Sequence, residues 1–95
     1  MRTKSVIIDA VRSPIGVKNG QLVGMRPDDL TAQVIKGLLA RNEKVKPEDI
    51  EDVVVGCAFP EGPQGMIIGR PVAVLAGIPK EAGGKVVNRF CGSAM

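Results

Sequence analysis

Asp52-Val53-Val54-Val55-Gly56-Cys57-Ala58 and, further along, Lys85-Val86-Val87-Asn88-Arg89 bracket the part of the chain that decides the fold. Each is a short run rich in valine and bounded by glycine or charge, the signature of a buried strand. Between them lie the glycine-rich loop Glu61-Gly62-Pro63-Gln64-Gly65 and an apolar segment from Met66 to Ile78. Ile68, Val72 and Leu75 stand at helical spacing in that segment, and Pro71 either kinks the helix or marks its true start. Pro79 and Gly83-Gly84 end it. Two buried strands joined through a helix make a parallel pair with a right-handed crossover.

Working toward the N-terminus, Pro47-Glu48-Asp49-Ile50 reads as one helical turn leading into the Asp52 strand. Before it, Pro27 occupies a first helical position, and Asp28 and Asp29 place negative charge at the positive end of the helix dipole. Two exposed acids there are dipole partners rather than metal ligands, and no third oxygen ligand is near in sequence. Leu30, Val34 and Leu38, with Ile35 and Leu39, form an apolar stripe, and Arg41-Asn42 ends the helix. Ser5-Val6-Ile7-Ile8-Asp9-Ala10-Val11 is expected to be a further buried strand, stopped by Ser13-Pro14 and Gly16. The order strand, helix, strand, helix, strand gives an α/β fold with a mostly parallel sheet.

The chain has 95 residues, enough for one small core: by size scaling it buries roughly 60 to 68% of the surface exposed when unfolded. Residues 1–55 hold 17 of the 23 charged side chains, whereas residues 56–95 hold eight of the twelve glycines. The second part therefore reads as buried turns and close backbone approaches. A net charge of +3 arises from interspersed signs, and only Phe59 and Phe90 could stack on a base, so nucleic-acid binding is disfavoured. Arg2 and Lys4 precede an apolar run that Asp9 interrupts at once, too short for a signal peptide or membrane span. The chain reads as cytoplasmic, with reduced thiols.

Nucleotide motifs fail on residue type. Gly62, Gly65 and Gly69 do not follow the first strand and do not make GxGxxG; Gly84-Lys85 is followed by Val86 rather than Ser or Thr. Cys57 and Cys91 are too far apart for CxxC, and no metal site is expected. The chain contains no histidine, which excludes any triad or Cys-His pair built from these residues alone. Cys91 remains. It follows a strand and precedes Gly92-Ser93-Ala94, where the chain turns toward a helix whose free N–H groups favour a thiolate. On spacing alone the favoured reading is a small core hydrophobe, which is what free cysteines most often are.

The words around it add to this. Val87-Asn88-Arg89-Phe90-Cys91-Gly92-Ser93-Ala94-Met95 resembles the nucleophile segment of thiolases. Val11-Arg12-Ser13-Pro14-Ile15-Gly16, Asp28-Asp29-Leu30, Val55-Gly56-Cys57 and Val74-Leu75-Ala76-Gly77-Ile78-Pro79 stand in the order expected of a thiolase N-terminal region. The resemblance covers essentially residues 1–95 and implies the start of a layered thiolase fold. It implies that Cys91 takes an acyl group from a 3-ketoacyl-CoA as a thioester and passes it to coenzyme A, a co-substrate rather than a bound cofactor. Ala58-Phe59-Pro60-Glu61-Gly62-Pro63-Gln64-Gly65-Met66 is more similar to the degradative, β-oxidation type than to the biosynthetic acetoacetyl type. Ile67-Ile68-Gly69-Arg70-Pro71 departs from the family pattern.

The family's histidines, its proton-donating second cysteine and its C-terminal half have no counterpart here; Cys57 is read as core. The resemblance thus implies that the chain needs the remainder of a thiolase polypeptide, that the whole forms a homodimer or homotetramer, and that the isolated chain is inactive. A non-catalytic fragment or interaction module is the alternative from another class, and a β-ketoacyl synthase a remoter one.

Overall fold

The computed structural model describes residues 3–95, so the Arg2 of the basic lead-in lies outside the described residues. The elements are α1 (Pro27–Arg41), β1 (Asp52–Gly56), α2 (Gly69–Leu75) and β2 (Gly83–Val87), with 3-10 turns at Pro47–Asp49, Gly62–Gln64 and Phe90–Gly92. β1 and β2 form a parallel two-stranded sheet in the register Asp52↔Gly83 to Gly56↔Val87. The α/β class and the parallel pair around a crossover helix are as the sequence implies.

One face of the sheet is covered. Val53 is buried, and Val55 and Val86 pack beside it against Val72, Ala73 and Ala76 of α2 and its C-terminal flank. On the opposite face Val54 is 56% and Val87 38% exposed. Val72 and Ala73 are fully buried, which makes α2 the centre of a core built mostly from alanine and valine. Such small side chains bring the elements close together. A Cβ on Gly69 would stand 2.2 Å from the Lys85 carbonyl oxygen, and one on Gly84 would stand 2.7 Å from the Arg70 backbone. The first turn of α2 therefore lies backbone against backbone on β2, an approach open to glycine alone. Arg70 reinforces it by donating from Nη1 to the Ala82 carbonyl at 2.9 Å.

Three expectations change. Residues 5–11 are not a strand: no ladder pairs them, and Val6, Ile7 and Ile8 are 76%, 91% and 73% exposed. β-branching favours an extended chain, but a strand also needs a neighbour with free N–H and C=O groups. This segment is moored beside α1 instead. Asp9 receives Arg41 Nε at 2.9 Å and Asn42 Nδ2 at 2.9 Å. The last strand begins at Gly83 rather than Lys85: Gly83 pairs with Asp52 of β1, and α2 rests on Gly84. Asp28 is buried rather than exposed, gripped by Arg26 Nε and Nη2 at 3.1 and 3.0 Å.

Other expectations hold with finer detail. Pro71 is the third residue of α2, where its missing N–H has no intrahelical partner to lose, so it marks the start of a short helix. α1 turns Ala32, Ile35 and Leu39 toward the core, and Leu30, Val34 and Leu38 lie half-buried beside that line. Its end falls at Asn42, whose Nδ2 also donates to the Leu38 carbonyl at 2.9 Å.

Two measurements follow from this packing. Gly84→Ala is expected to destabilise the chain by about 1–3 kcal/mol through forced separation of α2 and β2. Gly37→Ala, on an open face of α1, is expected to stabilise by about 0.5–1 kcal/mol. Urea unfolding distinguishes the two signs. The Asp28 carboxyl is held below its ordinary value of 3.8, first by the hydrogen bonds from Arg26 and then by the Asp29 N–H. Its stabilisation is present above that value and lost as pH falls through the lower folded one. Asp28→Asn should lower stability at neutral pH and narrow the difference from wild type in acid.

Candidate active site

Cys91 sits in the turn that leaves β2, and that turn is built by two side chains. Asn88 Nδ2 donates to the Ala58 carbonyl at 3.2 Å, while its Oδ1 accepts the Phe90 N–H at 2.9 Å. The Ser93 hydroxyl accepts the Arg89 N–H at 2.7 Å and donates to the Phe90 carbonyl at 2.7 Å. Backbone bonds from Gly92 to Arg89 and from Ser93 to Phe90, both 3.1 Å, close the 3-10 turn. Phe90 has φ 48°, left-handed for a bulky residue, at a cost of about 1–2 kcal/mol. Such a conformation persists where its surroundings over-determine it, as the bonds around Phe90 do.

A third contact seats the turn on the sheet. A Cβ on Gly56 would stand 2.0 Å from the Ser93 carbonyl oxygen and 2.7 Å from the Ala94 Cα. The chain beyond Cys91 thus crosses directly over the last residue of β1, next to the exposed Val54 and Val87. Together with Ala94 and Met95 these residues line a hollow of about 380 Å³ beside the turn.

Cys91 is exposed and Cys57 buried, and neither is in a disulfide. Cys57 follows β1 directly and donates its N–H to the Val87 carbonyl at 3.0 Å, so it is a core residue, as read from the sequence. The expected helix start is represented by the single 3-10 turn Phe90–Gly92, of which Cys91 is the middle residue. Among the described residues, nothing accepts the N–H of Cys91. An accessible sulfur and an unpartnered N–H in one residue are what an acyl transfer needs, the first to attack a carbonyl and the second to receive the oxyanion that forms. General acid and base groups are absent from the turn, and the chain has no histidine to supply them. Among the described residues no cluster of acids and cysteines could hold a metal ion, and no helix is long and apolar enough to cross a membrane.

Asn88, Ser93 and Gly56 are the residues that inspection of the sequence did not single out. A signal existed for the first: asparagine often bonds to its own backbone two residues on. The contact of Gly56 with Ser93 depends on tertiary structure and has no local mark.

Residues 5–95 match the model of the thiolase N-terminal domain. The 3-ketoacyl-CoA thiolase of Psychrobacter arcticus is 47% identical over 91 residues, 95% of this chain and 23% of that protein. Those of Shewanella loihica and Vibrio cholerae are 47% and 46% identical over 97% and 95% of the chain, in each case 24% of the relative. The chain therefore spans about a quarter of the length of the curated relatives it matches.

Iodoacetamide should label Cys91 at least about tenfold faster than Cys57 in the folded chain, because the buried thiol reacts only through opening. Peptide mapping by mass spectrometry reads the two rates. Equal rates without denaturant would contradict the described burial.

Proposed function

Since the chain belongs to the thiolase family through its N-terminal domain, we propose that it supplies the nucleophile of a 3-ketoacyl-CoA thiolase and that Cys91 carries the acyl group. The observation that carries this reading is the exposed Cys91 in a constrained turn directly after β2, within the segment that resembles the family's nucleophile. The reaction class follows from the resemblance and from the names of the relatives, 3-ketoacyl-CoA thiolases.

The Cys91 thiolate adds to the keto carbon of a 3-ketoacyl-CoA, and the charge that develops on the keto oxygen is met by N–H donors such as that of Cys91. The bond between the keto carbon and the neighbouring methylene then breaks. Its electron pair leaves with acetyl-CoA, which takes up a proton, and the acyl group remains on Sγ as a thioester. A second coenzyme A attacks that thioester, releasing the shortened acyl-CoA and regenerating Cys91. Coenzyme A is a co-substrate here, and no permanently bound cofactor is required.

Two proton transfers in this cycle need groups that residues 1–95 do not offer: a base for the incoming thiols and an acid for the departing carbanion. The rest of a thiolase polypeptide supplies them, and residues 1–95 act as part of its N-terminal domain. The 58–66 segment favours the degradative direction, fatty-acid β-oxidation, in a cytoplasmic homodimer or homotetramer.

Given acetoacetyl-CoA and coenzyme A, the 95-residue chain is expected to form no acetyl-CoA above background. Sustained cleavage that Cys91→Ser abolishes would contradict the need for further residues. Within a complete thiolase that carries these residues, Cys91→Ser should lower thiolysis by at least about three orders of magnitude. Retained activity would refute Cys91 as nucleophile.

A further inference from the structure

We propose that Asn88 is a positioning residue for Cys91: its carboxamide ties the exits of both strands together and holds the left-handed Phe90 that aims the Cys91 N–H. The proposal rests on the reading of Cys91 as an acyl carrier.

Among the described residues, Asn88 makes the one side-chain hydrogen bond from the turn to the segment after β1, the 3.2 Å bond to the Ala58 carbonyl. The other end of the same amide accepts the Phe90 N–H at 2.9 Å. The two bonds pull in different directions, so the amide plane is fixed, and with it the orientation of Phe90. Phenylalanine has no preference of its own for a φ of 48°. Released from Asn88, Phe90 returns toward the ordinary negative-φ region, which rotates the peptide joining Phe90 to Cys91. That peptide carries the unpartnered N–H. Ser93 bonds to the carbonyl of Phe90 and the N–H of Arg89, so it braces the turn but cannot replace the tether to Ala58.

The consequence concerns acyl transfer specifically. In acylation by a thioester, the Cys91 thiolate adds to the carbonyl carbon, the bond to the departing sulfur breaks, and the departing thiolate takes a proton from water. A tetrahedral oxyanion lies on that path and draws on an aimed N–H donor. Alkylation by iodoacetamide displaces iodide at a saturated carbon, with no oxyanion. A variant that merely altered exposure of Cys91 would move both rates together. Loss of aim lowers the first alone.

The experiment uses a complete thiolase that carries these residues, wild type, Asn88→Ala and Asn88→Ser, with acetyl-CoA and iodoacetamide as probes at one pH. Mass spectrometry of the Cys91 peptide gives the ratio of acetylation to alkylation rates, and NMR hydrogen exchange gives protection of the Phe90 amide, with the amides of Val54 and Val55 as a control on folding. In Asn88→Ala the ratio should fall by about tenfold or more, and Phe90 exchange should speed up while the sheet amides hold. Asn88→Ser, whose hydroxyl can accept weakly two residues on, should restore part of both. Unchanged exchange at Phe90, or an unchanged ratio in Asn88→Ala, overturns the proposal. A wild-type Cys91 that takes no acetyl group at all contradicts instead the acyl-transfer reading, and Phe90 exchange then decides the role of Asn88 by itself.

Discussion

The backbone contact between Gly69 and Gly84 is the constraint on which the rest of the structure depends. It seats the first turn of α2 on β2 with no side chain between them. That distance sets which residues can fill the core: Ala73, Ala76 and Ala82 are buried there, and Val72 is the largest fully buried side chain. Larger residues at Ala73, Ala76 or Ala82 would hold helix and sheet apart. Dispersion contacts gain most when atoms meet at van der Waals distance, so a core of small side chains stabilises only if the backbones approach this closely.

From that contact the position of Cys91 follows in steps. α2 fixes β2, the register fixes β2 beside β1, and both strands end at the same level, Gly56 opposite Val87. Two chain exits then lie side by side. One side chain, Asn88, spans them, and a second glycine, Gly56, lets the chain beyond Cys91 cross close to the sheet. The turn is consequently defined by contacts with the sheet as well as by its own bonds. A left-handed phenylalanine next to the cysteine is the visible sign of this tertiary control.

How much of this was legible depends on which physical term decided each element. β1, α2 and β2 were readable because apolar periodicity and flanking glycines agree with the final packing. The start of α1 was readable from Pro27 and its acids, which are local chemistry. The Ser5–Val11 run was not a reliable guide: its valine and isoleucines specify an extended preference, whereas pairing depends on a neighbouring strand, and Asp9 binds Arg41 and Asn42 instead. Gly83 and Gly84 belong to β2 for a related reason. Glycine marks a stop when considered alone, but here it records the close passage of another element. At the candidate site, Cys91 stood out through its resemblance to a family segment. Asn88 did not, because its importance lies in reaching Ala58, thirty residues earlier in the chain.

The most direct test of the account is where an acyl group lands. After incubation of a complete thiolase that carries these residues with a 3-ketoacyl-CoA in the absence of coenzyme A, peptide mapping should locate a thioester-linked acyl group on Cys91, removable by hydroxylamine and absent from Cys91→Ser. Acylation confined to Cys57, or spread over the lysines with Cys91 unmodified, would contradict the claim that this turn presents Cys91 as the acyl-accepting thiol.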